Sequence, residues 1–166
     1  MNGVADQGSR LELQREIGAL LPELRGFARF LARDRVAADD LVQDTVVRAF
    51  NALDQFQAGT NLKAWLFTIL RNHFYEQLRR ARRETAVMSA FAETEIAPQP
   101  SQHARSELAD LQVLIFRLPP LLREALILVG AQGLSHEEAA AICAVPVGTM
   151  KARLSRARAQ LADLSA

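Results

Sequence analysis

Apolar residues between Leu11 and Leu31 recur at steps of three and four (Leu13, Ile17, Leu20, Leu21, Leu24, Phe27, Phe30, Leu31). That spacing puts them on one side of an α-helix. Pro22 interrupts the pattern: it lacks a backbone donor and its ring crowds the preceding turn, so two helical segments are expected, with the break near Leu21. A further helix is predicted from about Val36 to Leu53, with Leu41, Val42, Thr45, Val46, Ala49 and Phe50 facing inward. Asp39 and Asp40 fall in its first turns, near the positive end of the helix dipole. Asp54 to Asn61, which contains Gly59, reads as a loop, and Leu62 to Arg83 as a long helix of aromatic and basic character.

The periodicity fades from Ala86 to Arg105, where Pro98, Gln99, Pro100 and Ser101 cluster. This is the composition of a flexible linker, and the domain boundary is placed there. The expected layout is a disordered terminus over 1–10, one helical domain over 11–85, a linker over 86–106 and a second helical domain over 107–166. In the second domain Glu107 to Leu118 is helical in pattern. Pro119 and Pro120 suit the start of the next helix, since a first-turn proline loses no hydrogen bond, and that helix ends near Gly133. Ser135 followed by Glu138 makes a capping box that opens a short helix to about Cys143. Ala144 to Pro146 form a turn, and a last helix runs from about Val147 to Leu161. No segment needs to be a strand. The fold class is all-α, two small helical domains joined by a linker.

With 49% hydrophobic and 23% charged residues, the chain is expected to bury real cores. Met1 to Arg10 lacks the basic start and apolar stretch of a secretion signal. The most apolar segment, Leu118 to Val129, contains Arg123 and Glu124 and is shorter than the roughly 20 residues a membrane span needs. Cys143 is the sole cysteine, so no intramolecular disulfide can form, and its apolar position predicts a buried packing role. His73, His103 and His136 are scattered without metal-ligand spacing, so no metal or cofactor is expected. A reducing cytoplasm fits this chemistry.

The formal net charge is only +1, but its distribution is uneven. Between Val147 and Leu161 there are four basic residues (Lys151, Arg153, Arg156, Arg158) and no acid. At ~100° per residue, Met150, Leu154, Ala157 and Leu161 share the inward face of this helix. Gly148, Thr149, Lys151, Ala152, Ser155 and Arg156 lie opposite, flanked by Arg153 and Arg158. A capped short helix, a three-residue turn and this small, basic face form a helix-turn-helix, whose second helix enters the major groove. The helix from Leu62 places Trp65, Asn72, Tyr75, Arg79 and Arg83 along one side. Aromatic rings beside arginines suit single-stranded DNA, where unpaired bases stack on the rings. The same rings also suit partly buried core positions, and the residues alone leave both readings open for Trp65 and Tyr75.

The run Ala38-Asp39-Asp40-Leu41-Val42-Gln43-Asp44-Thr45 with Arg48-Ala49-Phe50 resembles the polymerase-binding helix of the extracytoplasmic-function sigma factors. Leu62-Lys63-Ala64-Trp65-Leu66 through Arg71-Asn72 is similar to that family's minus-ten segment. Glu137-Glu138-Ala139-Ala140 and Pro146-Val147-Gly148-Thr149-Met150-Lys151-Ala152-Arg153-Leu154-Ser155-Arg156-Ala157-Arg158 are similar to its minus-thirty-five element. The resemblance spans about Leu13 to Leu161, and the runs from Thr60 to Asn72 and from Pro119 to Gly130 look closest to the general-stress-response branch.

The resemblance implies a non-enzymatic factor that binds the β and β′ subunits of core RNA polymerase and directs it to promoter DNA. It assigns Asp39, Asp40, Gln43, Asp44 and Arg48 to polymerase. Phe56 and Asn61 would cradle a flipped base, with Lys63, Trp65, Asn72, Tyr75, Arg79 and Arg83 on the minus-ten strand. Thr149, Lys151, Ala152, Arg153, Ser155, Arg156 and Arg158 would read or hold the minus-thirty-five element. Some family members carry an aromatic where Ser155 stands. A small helical anti-sigma protein is the expected inhibitor.

Three other functions compete. A sigma-like decoy would bind the inhibitor without binding DNA, but its receiver domain has no counterpart here, and it has no need of the basic recognition helix. A one-component repressor would share the helix-turn-helix but not the polymerase-binding run. A helical nuclease would need converging carboxylates or histidines. Asp39, Asp40 and Asp44 are the sole such cluster in the sequence, and the adjacent Asp39 and Asp40 cannot share one helix side.

Overall fold

The computed structural model describes residues 3–88 and 107–166. The described residues are helical and contain no strand, as the periodicity requires. By contact the chain divides into two compact units, Met1–His73 and Phe74–Ala166. The division falls inside one long helix, because that helix continues well past the core of the first unit. The linker expected at 86–106 begins inside this helix, and its residues 89–106, with Pro98, lie outside the described residues.

In the first unit α1 spans Gly3–Ala19 and α2 spans Leu21–Ala32. The break falls at Leu20, one residue before the expected position, with Pro22 in the first turn of α2, where its missing N–H is harmless. Gly3 to Arg10, expected to be disordered, are helical instead. No proline separates them from the apolar stripe, and Arg10 anchors the segment by donating to Asp54 Oδ1 at 3.2 Å and to the Phe50 carbonyl at 3.4 Å.

Helix α3 spans Arg35–Asn51 and is capped by Asp34, whose Oδ2 accepts the Ala37 amide at 3.0 Å. That cap sets the start one residue earlier than expected. Ala38, Leu41, Val42, Thr45 and Ala49 are buried, whereas Val46 and Phe50 are only half-buried. A 3-10 turn, Leu53–Gln55, leads into a loop stiffened at three points. Gly59 takes φ +86°, a left-handed conformation that favours glycine. Thr60 donates its hydroxyl to the Gln57 carbonyl at 2.7 Å, and Asn61 Oδ1 caps the next helix through the Ala64 amide at 3.1 Å. That helix, α4, spans Leu62–Met88. Its Leu66, Phe67 and Leu70 are buried, as are Ile17, Leu24, Phe27 and Leu41 of the earlier helices, and the Phe27 and Phe67 rings stack at 4.9 Å.

In the second unit α5 spans Glu107–Arg117 and α6 spans Pro120–Ala125. Leu118, Leu122 and Ala157 form a buried cluster with Leu126 against it. Arg123 is buried and holds the α5–α6 corner: its guanidinium donates to the Phe116 and Leu118 carbonyls at 3.3 and 3.0 Å and lies 5.2 Å from the Phe116 ring. The α-helix expected to reach Gly133 widens instead into a π-helical stretch, Leu126–Ala131. The Gln132 and Leu134 amides reach the Ile127 and Leu128 carbonyls, and Gly133 takes φ +69°. Spacing of apolar residues does not resolve one extra residue per turn.

Helix α7, His136–Cys143, starts at Ser135, whose Oγ accepts the Glu138 amide at 3.0 Å. It ends at Ala144 in the left-handed conformation (φ 53°), with the Val145 amide bonded to the Ala140 carbonyl at 3.0 Å. Helix α8, Val147–Ser165, opens with Pro146 at its cap position and runs four residues past the expected end. Cys143 is buried, as its apolar position predicts.

Candidate nucleic-acid interface

Three surfaces collect the residues singled out by sequence. On α3, Asp39, Asp40, Gln43, Asp44 and Arg48 are all exposed while the opposite side of the helix is core. They look toward different neighbours. Asp39 and Gln43 join Val42, Val46 and Val47 in lining an open groove of about 670 Å³, completed by Leu21, Arg25, Arg29 and Arg35. About 100° round the helix from Gln43, Asp44 Oδ2 lies 3.0 Å from His73 Nε2 of α4. This polymerase candidate therefore combines an apolar floor (Val47 is 58% exposed) with charges of both signs.

The second surface begins at the loop before α4. Phe56 and Trp65 are half-buried and pack with ring centres 5.2 Å apart at 53°. Trp65 is thus partly buried and partly at the surface. Asn61 is exposed, and its carbonyl oxygen is committed to the helix cap. Lys63 Nζ lies 5.7 Å from the Phe67 ring. Further along α4, Asn72, Arg79 and Arg83 are exposed, and Tyr75 is half-buried with its hydroxyl donating to Glu124 at 3.4 Å. Glu124 is buried and was not singled out by sequence; its acidic type within an apolar run is the signal it left.

The third surface is the outer face of α8. Lys151, Ala152, Ser155, Arg156 and Arg158 are exposed, and Thr149 and Arg153 are half-exposed. Met150, Leu154 and Ala157 are buried, and Leu161 is half-buried. The face is therefore turned outward by the packing of its own helix. Arg156 Nε donates to the Ala152 carbonyl one turn back at 3.3 Å, which lays the guanidinium along the exposed side. Small residues beside four cations fit a duplex groove, where base edges need close approach and phosphates need positive charge. Among the described residues no cluster of three or more His, Cys, Asp or Glu side chains could hold a metal ion, and no helix is long and apolar enough to cross a membrane.

Residues 17–84 match the Sigma-70 region 2 family and residues 108–161 match the Sigma-70 region 4 family. The chain is 47% identical over 152 residues to the ECF RNA polymerase sigma factor EcfG of Rhodopseudomonas palustris, covering 92% of this chain and 84% of that protein. This chain belongs to the ECF RNA polymerase sigma factors. It is also 35% identical over 162 residues to the ECF sigma factor SigC of Mycobacterium tuberculosis, covering 96% of this chain and 86% of that protein. Among solved structures it is similar to the sigma factor RpoE in complex with the anti-sigma factor NepR from Bartonella quintana. The TM-score is 0.81 with 44% identity, over 92% of this chain and 96% of that one.

Region 2 of this sigma factor accordingly carries the α3 surface and the Phe56–Trp65 pair, and region 4 carries α7 and α8. His73 is the residue of region 2 that sequence reading passed over. It falls three positions after Leu70 on the buried side of α4, so a polar residue on an apolar stripe was the signal available.

Proposed function

We propose that this ECF sigma factor docks on the β and β′ subunits of core polymerase through Asp39, Asp40, Gln43, Asp44 and Arg48. It then opens the minus-ten element with Phe56, Asn61, Lys63, Trp65, Asn72, Tyr75, Arg79 and Arg83, and reads the minus-thirty-five element with Thr149, Lys151, Ala152, Arg153, Ser155, Arg156 and Arg158. The observation that carries the reading is the outer face of α8: small, exposed and basic, on a helix whose other side is locked into a core. No reacting group is required, so the protein acts by binding alone, in the cytoplasm, on stress-response promoters.

Phe56 and Trp65 supply the stacking surface, and the Asn61 cap together with Gly59 holds the loop beside them. Stacked bases are stabilised by about 1 to 3 kcal/mol each, enough for a short bubble once polymerase supplies the rest. A small helical anti-sigma protein is the proposed inhibitor. The similar RpoE is in complex with the anti-sigma factor NepR, and the exposed Val47 beside a groove lined by Arg25, Arg29 and Arg35 offers an apolar and charged seat to such a partner.

Run-off transcription tests the assignment: purified chain plus core polymerase should yield a defined transcript from a stress-response promoter, and neither alone should. Absence of any promoter-dependent transcript with active core polymerase would overturn it.

A further inference from the structure

Asp44 and His73 form a pair of unequal halves. The Asp44 side chain is 53% exposed and the His73 side chain only 9%, yet their Oδ2 and Nε2 atoms are 3.0 Å apart. His73 follows Leu66 and Leu70 on the buried side of α4, so its ring cannot swing into water without leaving the core. A carboxylate only accepts hydrogen bonds, so Nε2 is the protonated nitrogen and donates. On α3 the next residue, Thr45, is buried and gives its hydroxyl to the Leu41 carbonyl, which fixes the backbone beside Asp44.

We propose that His73 is a positioning residue for polymerase docking: a donor fixed in the core of region 2 that holds the Asp44 carboxylate in one orientation on the surface. The inference rests on the reading of Asp44 as a polymerase contact. As a stability device the pair is a poor investment, since ion pairs with an exposed member contribute little. As an orienting device it is well suited. An untethered aspartate samples several rotamers and loses that freedom on binding, whereas one oxygen held by a fixed imidazole leaves the carboxylate already placed. Pre-ordering one side chain is worth about three- to tenfold in affinity. The pair also ties the polymerase-binding helix α3 to the DNA-binding helix α4 through side chains rather than packing alone.

Binding of the full-length chain to purified bacterial core RNA polymerase, followed by fluorescence anisotropy, separates this role from simple packing. Leucine fills the site of the imidazole without a donor, and glutamine places an amide N–H near the position of Nε2. His73→Leu is expected to weaken binding about three- to tenfold, and His73→Gln to return it to within about twofold of wild type. In an Asp44→Ala background, His73→Leu should change nothing further. If Asp44→Ala weakens binding but His73→Leu does not, the positioning role is wrong while the docking surface stands. If Asp44→Ala itself has no effect, the docking assignment of Asp44 fails and the proposal falls with it. Equal losses for leucine and glutamine that persist without Asp44 would make His73 a packing residue, also overturning the proposal.

Discussion

Removing the hydroxyl of Ser135 isolates what a single cap contributes to the helix-turn-helix. Ser135 Oγ accepts the Glu138 amide at 3.0 Å, and Ser135 itself is exposed, so Ser135→Ala deletes one hydrogen bond with almost no change in buried surface. Loss of a serine N-cap costs about 1 kcal/mol. Helix α7 has only 8 residues, too short to be stable by itself, so its order depends on the cap and on the packing of Ala139, Ala140, Ile142 and Cys143. One kcal/mol is a factor of about five in the local opening equilibrium. Amide hydrogen exchange of the intact chain should therefore speed up about fivefold across α7, while amides around Phe67 and Leu70 in the first unit stay unchanged. Ser135→Asp should restore protection, because a carboxylate accepts the same bond and suits the helix dipole. Unchanged exchange in the alanine variant, or failure of aspartate to restore it, would refute the claim that this cap holds the motif together.

Arg156→Ala should weaken minus-thirty-five recognition by about 1 to 3 kcal/mol without loss of core-polymerase binding, and Asp44→Ala should do the reverse; footprinting and polymerase titration on the same pair of variants separate the two. Leu154→Ala, at a site only 2% exposed, should destabilise the second unit by about 2 to 5 kcal/mol and abolish promoter reading without touching the basic face, as read by thermal unfolding of the chain and by promoter binding of its complex with core polymerase. The chain alone should fail to select promoters in a gel shift at physiological salt, because each DNA surface is small and polymerase is needed to space the two. A tight, promoter-specific shift would contradict that.

Several features are legible in the amino-acid sequence alone. Helical periods of three and four reflect one buried side per helix, so the all-α class followed directly. So did the break beside Pro22, the start of α7 at Ser135 and the inward positions of Met150, Leu154 and Ala157. Strong local signals need no tertiary knowledge: proline removes a donor, serine supplies an acceptor, and a wheel position fixes which side is dry. The outward basic face of α8 was readable for the same reason, since its orientation is set by residues of its own helix.

Tertiary structure decided what depends on partners distant in sequence. Arg10 joins the first helix because it finds Asp54 and the Phe50 carbonyl, 44 and 40 residues away. Arg123 and Glu124 lie in an apolar run, and only the folded chain supplies the Phe116 and Leu118 carbonyls and the Tyr75 hydroxyl that meet them. The π-helical stretch at Leu126–Ala131 is one residue longer per turn than the pattern implies, and hydrophobic spacing does not record that difference. The acids of α3 look alike in sequence, yet Asp39 lines a groove with arginines of α2 whereas Asp44 meets a buried histidine of α4. A helix period tells which side of α3 is dry; what stands beside each charge on the wet side is set by how α2 and α4 cross it.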